Sequence, residues 1–180
     1  MKHLRLFFIL ILGALAFGKT FIVPKEEARR VSVLFFGAPT ANSAAHDPIT
    51  RYRVLKKHLG VHGVDLTYTE DPAVAFNSET LGDHDALLMY GNWEQNGKMP
   101  EAQEKALFDF VEQGGGFLPV HCASACYGGS PKFVELVGAK FKSHGAGVFA
   151  PKTTPTKHPV TEGYKSFEAW DETYFHSDHN

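Results

Sequence analysis

Hydrophobic runs and amphipathic segments alternate along the chain after about residue 30. Nearly continuous apolar runs cover residues 30–36, 86–90 and 117–120, which is typical of strands buried on both faces of a parallel sheet. Residues 64–69 alternate between apolar and polar positions and predict a fourth strand. Pro119 lacks an amide hydrogen, so we expect its nitrogen to face an unpaired side of the sheet or a bulge.

Three helices are predicted between and after these strands. Residues 49–59 place apolar side chains on one side and end at Gly60, and Pro100 suits the first turn of a helix over 100–113. A short helix over 131–137 ends at Gly138. Strands that alternate with helices predict an α/β domain with a parallel sheet and right-handed crossovers.

The N-terminus has the order of a secretory signal. A cationic start, Met1–Arg5, precedes twelve largely apolar residues, Leu6–Phe17, and Ala14–Ala16 offers small residues for cleavage. Twelve residues are too few to cross a membrane, which needs about 20. We therefore expect residues 1–18 to be a signal peptide, an exported (periplasmic or extracellular) protein, and a domain over 28–180. An uncleaved anchor or a buried N-terminal helix is the alternative.

Composition excludes several classes of protein. The net charge of −2 argues against a basic nucleic-acid binder, so no nucleic-acid partner is expected. Two cysteines are too few for a disulfide-rich scaffold or a four-cysteine zinc module. Five of the ten histidines follow residue 120, and histidine is the side chain that titrates near neutrality and commonly binds metals.

Polar residues follow the predicted strands at the edge where ligands bind in open parallel sheets. These are the His46-Asp47 loop after the first strand, the segment 91–94 after the third, and His121 after the fourth. His121 leads into small residues, which has the form of a strand-to-helix turn that points one side chain into a cleft. A structural histidine remains the alternative.

Cys122 and Cys126 lie four residues apart, which leaves three readings open. Helical spacing allows a disulfide, and an exported protein would tolerate one. A thiolate beside His121 is chemically reasonable as a nucleophile. Plain packing of two small apolar side chains is the reading that we favour.

The last eleven residues, 170–180, combine tryptophan, carboxylates and two histidines. Imidazole and carboxylate ligands suit a transition metal, although the spacing matches no metal motif. A rim that binds a hydroxyl-rich ligand is the second reading, and polarity without function is the third. His144 and His158 lie in predicted loops and read first as surface residues.

Four segments carry a family resemblance: Phe108–His121, Phe133–His144, His158–Gly163 and Asp171–Tyr174. In this order they resemble the trehalose-utilisation (ThuA-like) family of the class I glutamine amidotransferase-like superfamily. The resemblance implies a flavodoxin-like three-layer sandwich with a mostly parallel central sheet. The family continues with a further strand and helix, so it also implies that these final elements are missing here.

The resemblance assigns candidate site residues. His121 occupies the position of the amidotransferase cysteine, with Cys122 next to it, which implies that the chain is not a glutamine amidotransferase. Asp171, Glu172 and His144 match positions expected to face the same cleft. The predicted catalytic residues are His121, Asp171 and Glu172. The predicted substrate-binding residues are Trp93, His144, His176 and His179.

The implied function is the processing of trehalose, another glycoside or a keto-sugar by histidine-assisted acid–base chemistry, as a hydrolase or a component of an oxidoreductase. The alternative is a non-catalytic sugar-binding module that works with a sugar dehydrogenase or c-type cytochrome. The ligand would be a small carbohydrate; a divalent metal and a homo-oligomer stay open. Gly114–Gly116 precedes a strand, the wrong side for cradling a pyrophosphate, so no NAD or flavin is expected to bind directly.

Overall fold

A computed structural model of the protein describes residues 29–38, 46–154 and 156–179. The predicted signal peptide, residues 1–18, lies outside the described residues. Contacts divide the chain into Met1–Arg30 and Val31–Asn180, and the fold described below belongs to the second unit. In the described ranges no helix has the length and apolar character that a membrane span requires.

Four parallel strands form the central sheet in the spatial order β2-β1-β3-β4. They are β1 (Val31–Gly37), β2 (Val64–Thr69), β3 (Ala86–Tyr90) and β4 (Gly116–Pro119). All four predicted strands are present within one residue of their expected bounds. The prediction of an α/β fold with a parallel sheet is therefore confirmed.

Helices fill the connections between the strands. They are α1 (Pro48–Gly60), α2 (Pro72–Ala75), α3 (Ser78–Gly82), α4 (Glu101–Glu112) and α5 (Pro131–Val137). The three predicted helices correspond to α1, α4 and α5. The short helices α2 and α3 were not predicted, since each is about one turn long and too short to show a period. Both begin at a side-chain cap, provided by Asp71 and Asn77.

Side chains from both faces of the sheet are buried, and this produces three layers. Leu34 and Leu87 point to the face that also buries apolar side chains of α3, α4 and α5. Phe35 and Leu88, one position along, point to the opposite face, where α1 packs. Because successive side chains of a strand point to opposite faces, each face of the sheet offers an apolar surface to one helix layer. This is the flavodoxin-like sandwich that the resemblance implied.

Pro119 lies in β4, an edge strand that pairs with β3 alone among the described strands. The amide of the next residue, Val120, donates to the carbonyl oxygen of Met89 at 2.9 Å. Since successive amides point to opposite sides of a strand, the nitrogen of Pro119 faces the outer side. The expected unpaired position is thus confirmed.

A two-stranded antiparallel sheet follows, formed by β5 (Lys140–Phe149) and β6 (Ala169–Ser177). These strands were not predicted. Side chains alternate along β6, so Glu172 and Tyr174 share one face while Asp171 points to the other. Contacts connect β5 with the chain just after β4, and this arrangement brings the C-terminal polar residues to the carboxyl end of the parallel sheet.

The buried centre of the sheet should carry most of the stability of this fold. Leu87 in β3 is completely buried, whereas Leu118 in β4 is 46% exposed. We expect Leu87→Ala to lower the free energy of unfolding by about 2–5 kcal/mol through lost burial and a cavity. The matched variant Leu118→Ala should lose clearly less. Urea denaturation measures both, and equal losses would contradict this account of the core.

Candidate active site

His121 occupies the turn at which β4 leaves the sheet. It begins a short 3-10 helix, His121–Ala125, and has a φ of 52°. This left-handed conformation is uncommon for a residue with a side chain and is often found at functional turns. The hydrogen bond from Val120 to Met89 holds the preceding residue in the sheet. The turn therefore directs the imidazole to the carboxyl edge, as predicted.

His46 reaches the same edge from the start of α1. The side chain of Asp47 accepts a hydrogen bond from the amide of Ile49 and caps this helix, and Pro48 suits its first turn. The capped start places His46 directly before the helix. Its ring stacks on that of His121, with the centroids 5.1 Å apart.

The carboxylate of Glu172, in β6, lies close to both of these imidazoles. Its Oε2 atom is 3.5 Å from Nε2 of His46 and 3.6 Å from Nε2 of His121. The same oxygen is shielded from solvent and has no hydrogen-bond partner among the residues that the structure describes. His144 lies on the other side of the carboxylate, with Nδ1 3.8 Å from Oε1. Both carboxylate oxygens thus face imidazole rings.

Tyr174 completes the surroundings of His121. Its hydroxyl oxygen is 3.4 Å from Nε2 of His121, and the two rings are 4.6 Å apart between centroids. Burial, together with the nearby Cys122 and Glu172, raises the pKa of Tyr174 above its ordinary value. Tyr174 is consequently a neutral phenol at physiological pH and can donate a hydrogen bond.

Burial lowers the pKa of His121 below the usual 6.5, and the neighbouring His46 lowers it further. The carboxylates of Glu172 and Asp171 oppose this shift. The result is a neutral imidazole at pH 7. A neutral ring can accept a proton or provide a lone pair to an electrophile.

Two clefts meet at His121 and Glu172, which line both. The first cleft, of about 470 Å³, is completed by His46, Arg51, Tyr90, Ala146, Trp170 and Asp171. The second cleft, of about 520 Å³, includes Ser124, Tyr174, His176 and His179. In it, Nε2 of His176 lies 3.1 Å from Oγ of Ser124. The imidazole–carboxylate pair therefore stands where the two spaces join.

Six of the seven predicted site residues lie in or beside these clefts; they are His121, His144, Asp171, Glu172, His176 and His179. Their roles remain predictions. Trp93 is not brought to this group. Its ring packs against Phe36 and Tyr127, with centroids 5.6 and 4.9 Å apart, because a large indole after a central strand gains more from the core than from the rim.

Sequence reasoning noted the His46-Asp47 loop at a strand end but did not include His46 among the site residues. The position after β1 was the available signal, since parallel strands end at a common edge. Arg51, Tyr90 and Trp170, which line the first cleft, and Tyr174 of the second cleft were also missed as site residues. Arg51 and Tyr90 lie on α1 and β3, a predicted helix and a predicted strand, and the position of Tyr90 at a strand end was again the available signal. The assignment of Trp170 and Tyr174 depends on the β5–β6 pairing, for which the sequence gives no strong pattern.

Cys122 and Cys126 are buried and unpaired, so the disulfide reading is wrong. Burial raises the pKa of Cys122 to about 12 and that of Cys126 to about 11. Thiols with such values hold almost no thiolate at neutral pH, which argues against the nucleophile reading. Packing of small apolar side chains, the reading favoured from the sequence, agrees with this arrangement.

Thiol accessibility tests this conclusion. Ellman's reagent should react with two thiols per chain in guanidinium chloride, and in the native protein it should react far more slowly because both sulfurs are buried. Fewer than two thiols in the unfolded, unreduced protein would restore the disulfide. Rapid reaction of the native protein would contradict the burial.

The groups around His121 predict that its pKa shifts in opposite directions in two variants. Its ring resonance should titrate with a midpoint below 6.5 in NMR spectra. Glu172→Gln should lower this pKa further because a stabilising negative charge is removed, and His46→Asn should raise it because a neighbouring imidazole is lost. Shifts in the same direction in both variants would contradict the arrangement.

The same depressed pKa fixes the sign of a pH effect on stability. The unfolded chain binds a proton at His121 more readily than the folded chain does. The stabilising contribution of His121 to the free energy of unfolding is therefore fully present above pH 6.5 and is lost as the pH falls through the folded-state pKa. A comparison of the free energy of unfolding for the wild type and His121→Asn across pH 5–8 isolates it. A loss that instead grew towards high pH would rule out a depressed pKa.

Two crystal structures of ThuA-like proteins are similar to this chain. The one from Bacteroides uniformis ATCC 8492 is 24% identical, with a TM-score of 0.68, and the match covers 90% of this chain and 66% of that chain. The one from Parabacteroides merdae ATCC 43184 is 17% identical, with a TM-score of 0.61 and coverages of 81% and 62%. At these identities the likeness establishes the fold, and this chain spans just under two thirds of either length.

None of the curated proteins matches the chain significantly. The ThuA family, described as trehalose utilisation, matches residues 32–180. This match begins at the first strand of the parallel sheet and includes every element of the fold. Because it covers most of the chain, the protein belongs to the ThuA family.

Proposed function

We propose that this protein processes a carbohydrate, either trehalose or another glycoside or keto-sugar, by acid–base chemistry at His121 and Glu172. The observation that carries the proposal is that both clefts share these two residues. A sugar bound in the first cleft and a substituent in the second would place the bond between them at the imidazole and the carboxylate. That position is where a proton must move when a glycosidic bond breaks.

The first cleft offers groups suited to a sugar ring. Trp170 is 72% exposed and presents a flat apolar face, on which a pyranose can stack. Asp171 and Arg51 line the same cleft and are able to accept hydrogen bonds from, and donate them to, sugar hydroxyl groups. This combination of a ring platform and charged hydrogen-bonding groups supports a carbohydrate ligand.

The second cleft supports proton transfer. Neutral His121 accepts a proton, and the Tyr174 hydroxyl, 3.4 Å from its Nε2 atom, can donate to the ring or to a leaving oxygen. Glu172 stabilises the imidazolium that results, since its carboxylate lies 3.6 Å away. His176 and Ser124 provide further hydrogen-bonding groups in this cleft.

We place this activity outside the cytoplasm, on the basis of the charge, apolar run and small residues of positions 1–18. Expression of the full-length chain in a bacterial host with fractionation tests this. Recovery of a shortened protein from the periplasm or medium is the expected result. An uncleaved protein in the cytosol would contradict export.

A second candidate is a non-catalytic sugar-binding module that works with a sugar dehydrogenase or c-type cytochrome. The exposed ring of Trp170 favours it, because stacking on an open platform binds a sugar without any need for bond cleavage. The two candidates differ in one property, namely whether the loss of His121 affects turnover or affinity.

The variant His121→Asn separates the two candidates. We expect kcat for a disaccharide or its keto derivative to fall by about 10²–10⁴, since a general acid–base group is lost, with affinity changed only a few-fold. Product analysis and calorimetry on the same preparations give the two readouts. His58→Asn, an exposed histidine at the end of α1, is the matched control and should retain both.

Two outcomes would overturn the enzymatic proposal. Turnover that survives in His121→Asn while affinity falls transfers the assignment to the binding module. Binding of the sugar by the wild type with no turnover of any glycoside or keto-sugar does the same. If neither binding nor turnover occurs with trehalose, related glycosides or their keto derivatives, the carbohydrate proposal itself is lost.

A further inference from the structure

We propose that His46, His121 and Glu172 bind a divalent transition-metal ion of the zinc class. One ligand atom from each residue lies within 4.8 Å of the other two, and within the described ranges this is the one group of three histidine, cysteine or acidic residues with that property. The three residues come from separate elements: the start of α1, the turn after β4, and β6.

The buried Oε2 atom of Glu172 carries the inference. A carboxylate oxygen that is shielded from water and has no hydrogen-bond donor is costly to a fold. The two imidazole Nε2 atoms lie 3.5 and 3.6 Å from this oxygen, and these distances are too long for good N–H···O hydrogen bonds. A positive ion among the three atoms would satisfy the oxygen.

The same distances agree with the size of a metal centre. Bonds of about 2.0–2.1 Å at tetrahedral angles separate neighbouring ligand atoms by about 3.3–3.4 Å. The carboxylate–imidazole separations observed here exceed this by only a few tenths of an ångström. Rotation of the three side chains is the movement that would bring all three ligand atoms, which lie within 4.8 Å of one another, to bonding distance of one ion.

The ligand types select the kind of ion. Two imidazole nitrogens and one carboxylate oxygen suit zinc and its neighbours in the first transition row, whereas Mg²⁺ and Ca²⁺ prefer oxygen ligands throughout. Three protein ligands also leave a coordination position open, which is typical of catalytic rather than structural zinc sites. Because His121 and Glu172 line both clefts, that open position is accessible to a substrate.

Two neighbouring side chains lie close to the proposed ligands. Nδ1 of His144 is 3.8 Å from Oε1, the second oxygen of Glu172, which is beyond hydrogen-bond distance. The hydroxyl of Tyr174 is 3.4 Å from Nε2 of His121, the atom that would bind the ion. The hydroxyl of Tyr174 would therefore have to release this nitrogen when an ion binds.

Ion binding refines the proposed function but does not depend on it. A bound zinc-class ion lowers the pKa of a coordinated water and would provide the proton acceptor and nucleophile for the reaction. His121 would then hold the ion rather than the proton.

Titration of the chelator-treated protein with Zn²⁺ by calorimetry, and with Co²⁺ by visible absorption, tests the site. We expect one ion per chain, a higher Tm in the presence of excess metal, and cobalt bands typical of a low-coordinate centre. Glu172→Gln and His46→Asn should each weaken binding by at least about 100-fold, whereas His58→Asn should bind like the wild type. Mg²⁺ should produce none of these effects.

Circular dichroism of each variant shows whether it is folded, and either ligand variant alone is sufficient for the comparison. Absence of stoichiometric Zn²⁺ binding, or equal affinity in the ligand variants and the wild type, overturns the metal site. Metal binding without turnover of any sugar supports the site and removes the proposed function. Turnover by a metal-free protein that binds no ion does the reverse and returns the acid–base role to His121.

Discussion

The carboxylate of Glu172 is the point on which the rest of the site depends. It is delivered by an antiparallel hairpin to the edge of a parallel sheet, where His46 and His121 arrive from two different connections. The Oε2 atom of this side chain is shielded from water, and shielding of a carboxylate oxygen is unfavourable unless the surroundings compensate for the lost water. A buried polar atom without a partner calls for an explanation such as a catalytic role or a bound ion, and this is why we propose chemistry at this position.

The parallel sheet was predictable because its central strands are buried on both faces. β1 and β3 read as nearly continuous apolar runs of a few residues that end at a glycine, and this combination favours a buried strand over a helix. The β5–β6 sheet was not predictable, because its strands are not buried in this way. β5 contains Gly145 and Gly147 and has few buried positions, so neither its composition nor its period distinguishes it from a loop.

Within the site, prediction succeeded where the position depended on local structure. His121 follows a strand and precedes small residues, and the turn that this pattern indicates is present. His46 is 75 positions away in the chain, so its stacking on His121 depends on the strand order and on the cap at Asp47 rather than on any spacing. Trp93 shows the converse, since its place at a strand end was read correctly but its side chain turns into the core.

The turn after β4 also explains why our proposal uses the imidazole of His121 rather than the thiol of Cys122. Cys122, the next residue along, points to the face of the sheet covered by α1 and is completely buried. Burial raises the pKa of its thiol to about 12, which suppresses the thiolate. The side chain of His121 therefore lines the clefts, whereas that of the adjacent Cys122 is buried in the core.

A similar division occurs in β6, where neighbouring residues line different clefts. Trp170 and Asp171 line only the first cleft, whereas Glu172 lines both clefts and touches the imidazoles. On the proposed function, a ligand held by Trp170 and Asp171 would present its other end to the carboxylate of Glu172. The β5–β6 sheet permits this arrangement because it lies where the two clefts join, so neighbouring positions of one strand contribute to both clefts.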